Sequence, residues 1–185
     1  MPLSGTQWVG QFPTSTSTAD LTPAFRAAVD AFLAALDQAG AKHKIAATFR
    51  PVERAFLMHW CYRIGYGNFD SRQAPIMNGV DINWVHLNQQ GRYDETASRR
   101  AARAMAGAYG IDYAPALASR HTQGRAIDMR ISWSGTLSII DQSNVTVNIT
   151  TAPKDGLNTD LHLVGSTFGV HKLAVDPPHW SDDGH

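Results

Sequence analysis

Apolar residues recur at helical spacing in four parts of this chain. Thr22-Pro23 opens the first predicted helix, in which apolar side chains recur every three or four positions until Gly40. Pro51 and Gly110 mark the expected start of the second helix and the end of the third. The four predicted helices cover residues 23–39, 51–65, 96–109 and 157–168.

Alternating or β-branched stretches predict strands at residues 44–49, 126–133, 136–140, 145–150 and 171–175. The middle three are separated by short turns, which favours an antiparallel meander. Together the elements predict an α+β fold with one antiparallel sheet flanked by helices.

Two stretches of the chain show little periodicity. Residues 1–22 predict an irregular lead-in to a single domain over residues 23–185. Residues 66–95 are polar, and a loop of that length inside a compact domain is more often functional than passive.

Composition narrows the class of protein. The 185 residues are 43% hydrophobic and carry 16 basic and 16 acidic side chains, so one globular domain with no net charge is expected. Neutrality argues against a non-specific nucleic-acid binder or a polybasic membrane-surface protein. No targeting segment is predicted, and the longest apolar run, residues 31–36, is too short for membrane insertion. We therefore expect synthesis in the cytoplasm without a signal peptide.

The acidic residues are almost all aspartates, since Glu53 and Glu95 are the only glutamates. Neither follows a histidine, which excludes a His-Glu-x-x-His zinc helix. A glycosidase that uses two glutamates is also disfavoured. Cys61 is the only cysteine, so no internal disulfide or cysteine-rich zinc site can form. Metal ligands would have to be histidines and aspartates.

The densest group of candidate functional residues runs from Ser119 to Asp128, with the sequence SRHTQGRAID. A turn at Gly124 and a strand from residue 126 would let the His121 imidazole and the Asp128 carboxylate converge. Both groups are good zinc ligands. The alternative is a loop histidine and a strand aspartate that bond only to nearby backbone.

A second candidate segment is Asp176-Pro177-Pro178-His179, which Trp180 follows. Two prolines restrict the backbone to extended geometry, whose period of about three residues projects Asp176 and His179 to one side. The alternative is a rigid surface turn in which the aspartate caps the backbone.

Taken together, His121, Asp128 and His179 would provide three protein ligands and leave a fourth zinc position for water. That is the pattern of a catalytic zinc site rather than a structural one. A nearby carboxylate that is not a ligand, such as Asp176, could then take the proton from the water and return it later.

The pattern Ser-x-His-x-x-Gly-x-Ala-x-Asp followed by a late Asp-x-x-His resembles the zinc peptidoglycan peptidases. That family includes D-Ala-D-Ala carboxypeptidases, D,D-dipeptidases and L-alanyl-D-glutamate endopeptidases of phage endolysins, and it shares a fold with the hedgehog signalling domain. The resemblance implies zinc ligation by His121, Asp128 and His179, with Asp176 as the catalytic acid/base. Where many carboxypeptidases of the family have glutamate, this chain has Asp176.

The resemblance extends to Thr48-Phe49-Arg50-Pro51, where relatives carry an arginine that faces the substrate. Arg50 could bind a peptide carboxylate or stabilise an oxyanion, and a surface role is the alternative. Ser119 and Gln123 are weaker candidates for contacts with substrate or for orienting His121. Trp180 is expected to line the cleft because it adjoins a ligand.

These observations predict a metallopeptidase that hydrolyses amide bonds in peptidoglycan stem peptides. The alternative is a non-catalytic zinc-containing module that binds the cell wall or a protein. An enzyme of this kind would act on the cell wall, in the periplasm or outside the cell, after release or delivery. A holin, a secretion machine or an immunity protein would then be its partner.

Overall fold

The computed structural model describes residues 1–185 and confirms the α+β class, with four helices and antiparallel sheets. The helices are α1 Pro23–Gln38, α2 Val52–Gly65, α3 Glu95–Tyr109 and α4 Thr159–Thr167. The strands are β1 Lys42–Ala47, β2 Ala126–Ser132, β3 Leu137–Ile140, β4 Thr146–Ile149, β5 His171–Lys172 and β6 His179–Ser181. None of the helices has both the length and the apolar character needed to cross a bilayer.

The chain forms two compact units, each assembled from two separate stretches of sequence. The helical unit contains residues 1–13 and 51–119, and the sheet unit contains residues 14–50 and 120–185. The predicted boundary at residue 22 is therefore not a point where the chain passes from one unit to the other.

The helical unit is built on α2 and α3, which pack against each other. The Asp94 carboxylate caps α3 by accepting from the Ala97 N–H at 2.8 Å, and Gly110 ends the helix in the left-handed region at φ 67°. The long polar loop adds three buried side chains to this core, namely Val80, Ile82 and Trp84. Burial of these side chains explains how a stretch with so little regular structure stays ordered.

In the sheet unit, a four-stranded antiparallel sheet has the strand order β1-β2-β6-β5. Strands β3 and β4 form a separate antiparallel pair. The predicted meander of three consecutive strands is therefore wrong, because β1 and β6 occupy both edges of β2 and leave none for β3. The turns at residues 134–135 and 141–144 are correctly predicted, but the choice of strand partners depends on distant segments.

Helix α1 covers the buried face of this sheet. Its apolar stripe, which includes Phe25, Val29 and Phe32, lies in the same core as the β2 residues Ile127 and Met129. Alternation along β2 places Asp128 on the opposite face of the strand. The core therefore determines which face of the sheet carries the candidate chemistry.

Candidate metal centre

A tight turn presents His121. Residues 121–123 form one turn of 3-10 helix, and Gly124 ends it in the left-handed region at φ 66°. A side chain at Gly124 would also approach the Asp20 carbonyl, since an added Cβ would lie 3.1 Å from that oxygen. Both the backbone conformation and the limited space therefore favour glycine, as the sequence predicted for the turn before β2.

The register of the sheet brings the other two residues together. Strands β2 and β6 are antiparallel, and Asp128 lies directly opposite His179. Side chains that face each other in such a pair have Cβ atoms about 5 Å apart, within reach of a common ion. His121 and His179 are buried, and the Asp128 side chain is 18% exposed.

Three potential ligand atoms converge at this point. The His121 Nε2 atom lies 3.1 Å from Asp128 Oδ1 and 3.2 Å from His179 Nδ1, which is itself 3.2 Å from Asp128 Oδ1. Atoms bound at about 2.0–2.1 Å around a tetrahedral metal ion lie about 3.3 Å apart. The group formed by His121, Asp128 and His179 therefore has the spacing to hold a metal ion.

Backbone carbonyls orient both imidazole rings. The Nδ1–H of His121 donates to the Thr48 carbonyl at 2.7 Å, and the Nε2–H of His179 donates to the His185 carbonyl at 3.2 Å. A carbonyl can only accept, so each neutral ring turns its lone pair toward Asp128. Fixing the ring in this way is how proteins commonly prepare a histidine for metal binding.

Two nitrogen lone pairs and a carboxylate cannot share this space unless a positive charge lies between them. Burial by itself would raise the pKa of Asp128. When the rings of His121 and His179 are protonated, their hydrogen bonds to Asp128 outweigh that effect and hold its pKa below the usual range. Protonated imidazole can supply the required charge, and so can a metal ion, so the two should compete for the site.

The segment with Asp176 is tied to β6 by Lys172. The Lys172 ammonium donates to the carbonyls of Leu173 and Asp176, both at 2.5 Å, and to the His179 carbonyl at 3.1 Å. The Asp176 carbonyl in turn accepts from the His179 N–H at 3.1 Å. Asp176 is partly buried at this turn, so its backbone is held three residues before a candidate ligand.

The other predicted site residues lie in different surroundings. Arg50 is anchored beside the cluster, because its N–H donates to the His121 carbonyl at 3.1 Å. Gln123 is exposed, and its amide oxygen accepts from the Arg120 guanidinium at 2.9 Å. Ser119 is the last residue of the helical unit. Thr48 and not Gln123 therefore orients His121.

Trp180 belongs to the core, and the expectation that it lines the cleft is corrected. The side chain has no exposed surface, and its ring packs against Phe32 with the ring centroids 5.6 Å apart. Strand alternation is the reason, because neighbouring residues of β6 point to opposite faces. His179 therefore faces the ligand cluster while Trp180 faces the hydrophobic core.

An open cleft adjoins the cluster within the sheet unit. It has a volume of about 580 Å³, and its walls include Asp128, Arg130, Pro177 and Pro178. This volume lies in the range of small-molecule sites. A ligand of a few residues could therefore reach the Asp128 side of the cluster.

Sequence reasoning did not find the contributions of Thr48, Lys172 and His185. Two of them act through backbone carbonyls, which leave no trace in residue identity. Lys172 had one signal, a lone lysine just before the proline-restricted segment, but its partners are three carbonyls that only the folded turn brings together.

The fold and the cluster define an α+β protein with a histidine- and aspartate-based site that could hold a metal ion. Comparison with known proteins adds no family to this description, since no protein-family model and no curated protein matches the chain. The resemblance to zinc peptidoglycan peptidases therefore depends on the motif residues alone.

Proposed function

We propose that the protein is a zinc-dependent peptidase that hydrolyses amide bonds in peptidoglycan stem peptides. The main supporting observation is the convergence of His121, Asp128 and His179, with ligand atoms 3.1–3.2 Å apart at the edge of an open cleft. The order of these residues in the chain, with Asp176 three positions before the last ligand, is the pattern that resembles the peptidase family.

Zinc is the metal that best suits this set of ligands. Two imidazole nitrogens and one carboxylate oxygen at tetrahedral spacing would hold it and leave one position open. When bound, zinc would supply a Lewis acid that polarises the substrate carbonyl and makes water more acidic.

Asp176 is the proposed general base and acid. Its carboxylate would accept a proton from the attacking water and return it to the leaving amine. The three carbonyl contacts of Lys172 hold the backbone of this turn, which reduces the reorganisation needed during the reaction. Arg50 is proposed to face the substrate and to bind its carbonyl or carboxylate group.

Both endopeptidase and carboxypeptidase activity remain within this proposal, at L-alanyl-D-glutamate or D-Ala-D-Ala bonds. A non-catalytic zinc module that binds the cell wall or a protein is the second candidate. Asp176 favours the enzyme, because a binding module would need no acid at that position.

We further propose that the enzyme reaches the cell wall by release or delivery, with a holin, a secretion machine or an immunity protein as its partner.

The proposal is tested with zinc-loaded protein, purified peptidoglycan and mass analysis of the released peptides. Asp176→Asn should retain bound zinc and lose about 10²–10⁴-fold in turnover, because it removes proton transfer. Asp30→Asn, at an exposed position of α1, is the matched control and should behave like the parent. Full activity of Asp176→Asn would overturn the assignment of the base. If the zinc-loaded parent protein releases no peptide, the peptidase proposal itself is wrong.

A further inference from the structure

The exposed face of β1 and β2 carries a row of basic side chains that leads away from the metal cluster. Alternation along β2 puts Arg130 and Ser132 on the same face as Asp128. In the sheet register, Lys44 lies opposite Arg130 and Lys42 lies opposite Ser132. Arg130, Lys42 and Lys44 are all exposed. We call these three residues the basic row.

Two members of the basic row face each other with like charge. Lys44 and Arg130 are directly opposite in an antiparallel pair, where side-chain Cβ atoms are about 5 Å apart and like charges are destabilising. None of the ion pairs in the structure includes a residue of the basic row. The fold therefore tolerates an unfavourable pair of cations beside the candidate metal centre.

Three other arginines of the sheet unit are paired with acids, among them Arg125 with Asp182. Arg26 pairs with Asp30 along α1, and the Arg120 guanidinium pairs with Asp183. On the exposed face of β1 and β2, by contrast, none of the three basic side chains has an acidic partner, and two of them lie directly opposite each other. Unfavourable local choices of this kind tend to be found at functional sites.

The cleft connects Arg130, one member of the basic row, with the metal cluster. Arg130 and Asp128 both line the cleft, and residues two apart in a strand are separated by about 6.6–6.8 Å. Asp155 is the only other acid in the cleft wall, and its Oδ1 atom accepts from the Leu157 N–H at 2.8 Å in a local turn. A ligand at the metal cluster would therefore meet Arg130 about two residues further along an extended chain.

We propose that Arg130 and Lys44 form a subsite for a carboxylate of the substrate, which selects acidic peptides. This inference rests on the proposed peptidase function and deepens it. The guanidinium of Arg130 would bind the carboxylate through paired N–H groups, and the Lys44 ammonium would add charge from the neighbouring strand. The selected carboxylate would lie within about two residues of the scissile bond.

The subsite is tested by steady-state kinetics on two synthetic stem peptides, one with a free D-glutamate carboxylate and one with that carboxylate amidated. For Arg130→Gln we expect KM for the acidic peptide to rise about tenfold or more, with kcat and zinc content unchanged. Lys44→Gln should raise KM by a smaller factor, since a flexible ammonium is a less directional partner. The amidated peptide should have a KM that neither substitution changes.

Arg26→Gln is the matched control, because it removes an exposed arginine of the same unit away from the cleft. Its KM for both peptides should equal that of the parent. Equal KM values of the parent for acidic and amidated peptides would overturn the subsite. An unchanged KM in the Lys44→Gln/Arg130→Gln double variant would do so as well.

A binding measurement separates failure of the subsite from failure of the proposed function. Isothermal titration of the zinc-loaded protein with the acidic peptide reports affinity whether or not the peptide is cleaved. Weaker binding by Arg130→Gln without any hydrolysis by the parent would support the subsite and refute the peptidase. Hydrolysis by the parent together with unchanged binding by Arg130→Gln would support the peptidase and refute the subsite.

Discussion

Polar side chains have different hydrogen-bond partners in the helical unit and in the sheet unit. In the helical unit, several polar side chains bond to backbone carbonyls. The Arg103 guanidinium donates to the Gly65 carbonyl at 2.7 Å, and the Tyr62 hydroxyl donates to the Asp112 carbonyl at 2.7 Å. In the sheet unit, by contrast, His121, Asp128 and His179 turn their polar atoms toward one another. Polar groups that are satisfied by backbone stabilise the fold, whereas those that converge are available for a ligand.

Backbone geometry explains this difference. A helix places neighbours three or four residues apart on one face, so α2 and α3 present long apolar stripes to each other. An antiparallel pair places residues from distant parts of the sequence directly opposite each other, as it does for Asp128 and His179. The sheet unit is therefore the better scaffold for a site assembled from separate segments.

Removal of a metal ligand should have the largest effect of the predicted changes, a nearly complete loss of bound zinc. His121→Ala leaves two of the three ligand atoms, so we expect bound zinc to fall from about one ion per chain to nearly none. His59→Ala, in the helical unit, removes a ring that bonds to the Pro115 carbonyl and should leave zinc content unchanged. Elemental analysis after dialysis measures both variants. Zinc loss from His59→Ala would contradict the assignment of the metal site to the sheet unit.

Two helical glycines should respond to substitution with opposite sign. A Cβ at Gly165 in α4 would lie 2.8 Å from the Trp180 ring and 2.9 Å from the Val170 carbonyl, so Gly165→Ala should lower the free energy of unfolding by about 3 kcal/mol. Gly107 in α3 has open space at that position, so Gly107→Ala should raise it by about 0.5–1 kcal/mol. Urea unfolding followed by circular dichroism gives both values. Equal destabilisation by the two substitutions would contradict the packing described for the sheet unit.

Loss of the Lys172 ammonium should have a smaller effect on the free energy of unfolding. Lys172→Met keeps much of the aliphatic stem and removes the bonds to three carbonyls, which should cost about 2 kcal/mol in the free energy of unfolding. Zinc affinity should fall as well, because His179 is at the end of the same turn. Lys154→Met, at an exposed position, is the control for loss of one positive charge. Unchanged stability and zinc affinity in Lys172→Met would show that the turn holds its shape without the ammonium.

The smallest predicted effect concerns the Cys61 thiol, which should react very slowly at ordinary pH. Burial raises the pKa of its thiol to about 12, so the native protein should react with a thiol reagent at pH 8 far more slowly than the unfolded chain. The unfolded thiol ionises near pH 9, and the folded thiol keeps its proton until about pH 12. The native state then binds more protons, so stability falls as pH rises between these values. Rapid labelling of the native chain at pH 8 would contradict the burial of the Cys61 thiol.

Sequence reasoning predicted the four helices and most of the strands, because turn residues and apolar periodicity are local. Thr22-Pro23 and Gly110 mark helix ends close to those observed. It also selected the three residues that converge, and Gly124 ends the turn before β2 as expected. The extended geometry expected for residues 176–179 is wrong, because the His179 N–H donates to the Asp176 carbonyl and closes a turn. The partners of β2 were not predictable in this way, because β1 and β6 come from opposite sides of it in the chain.

The same division holds for individual side chains at the site. Scarce glutamate and a single cysteine determine from the sequence alone that any metal must be held by histidine and aspartate. Only the tertiary structure shows that Trp180 is buried in the core and that Thr48 orients His121. Residue identity determines which chemistry is available. The pairing of distant strands decides which groups meet, because hydrogen-bond register and burial are properties of the whole fold.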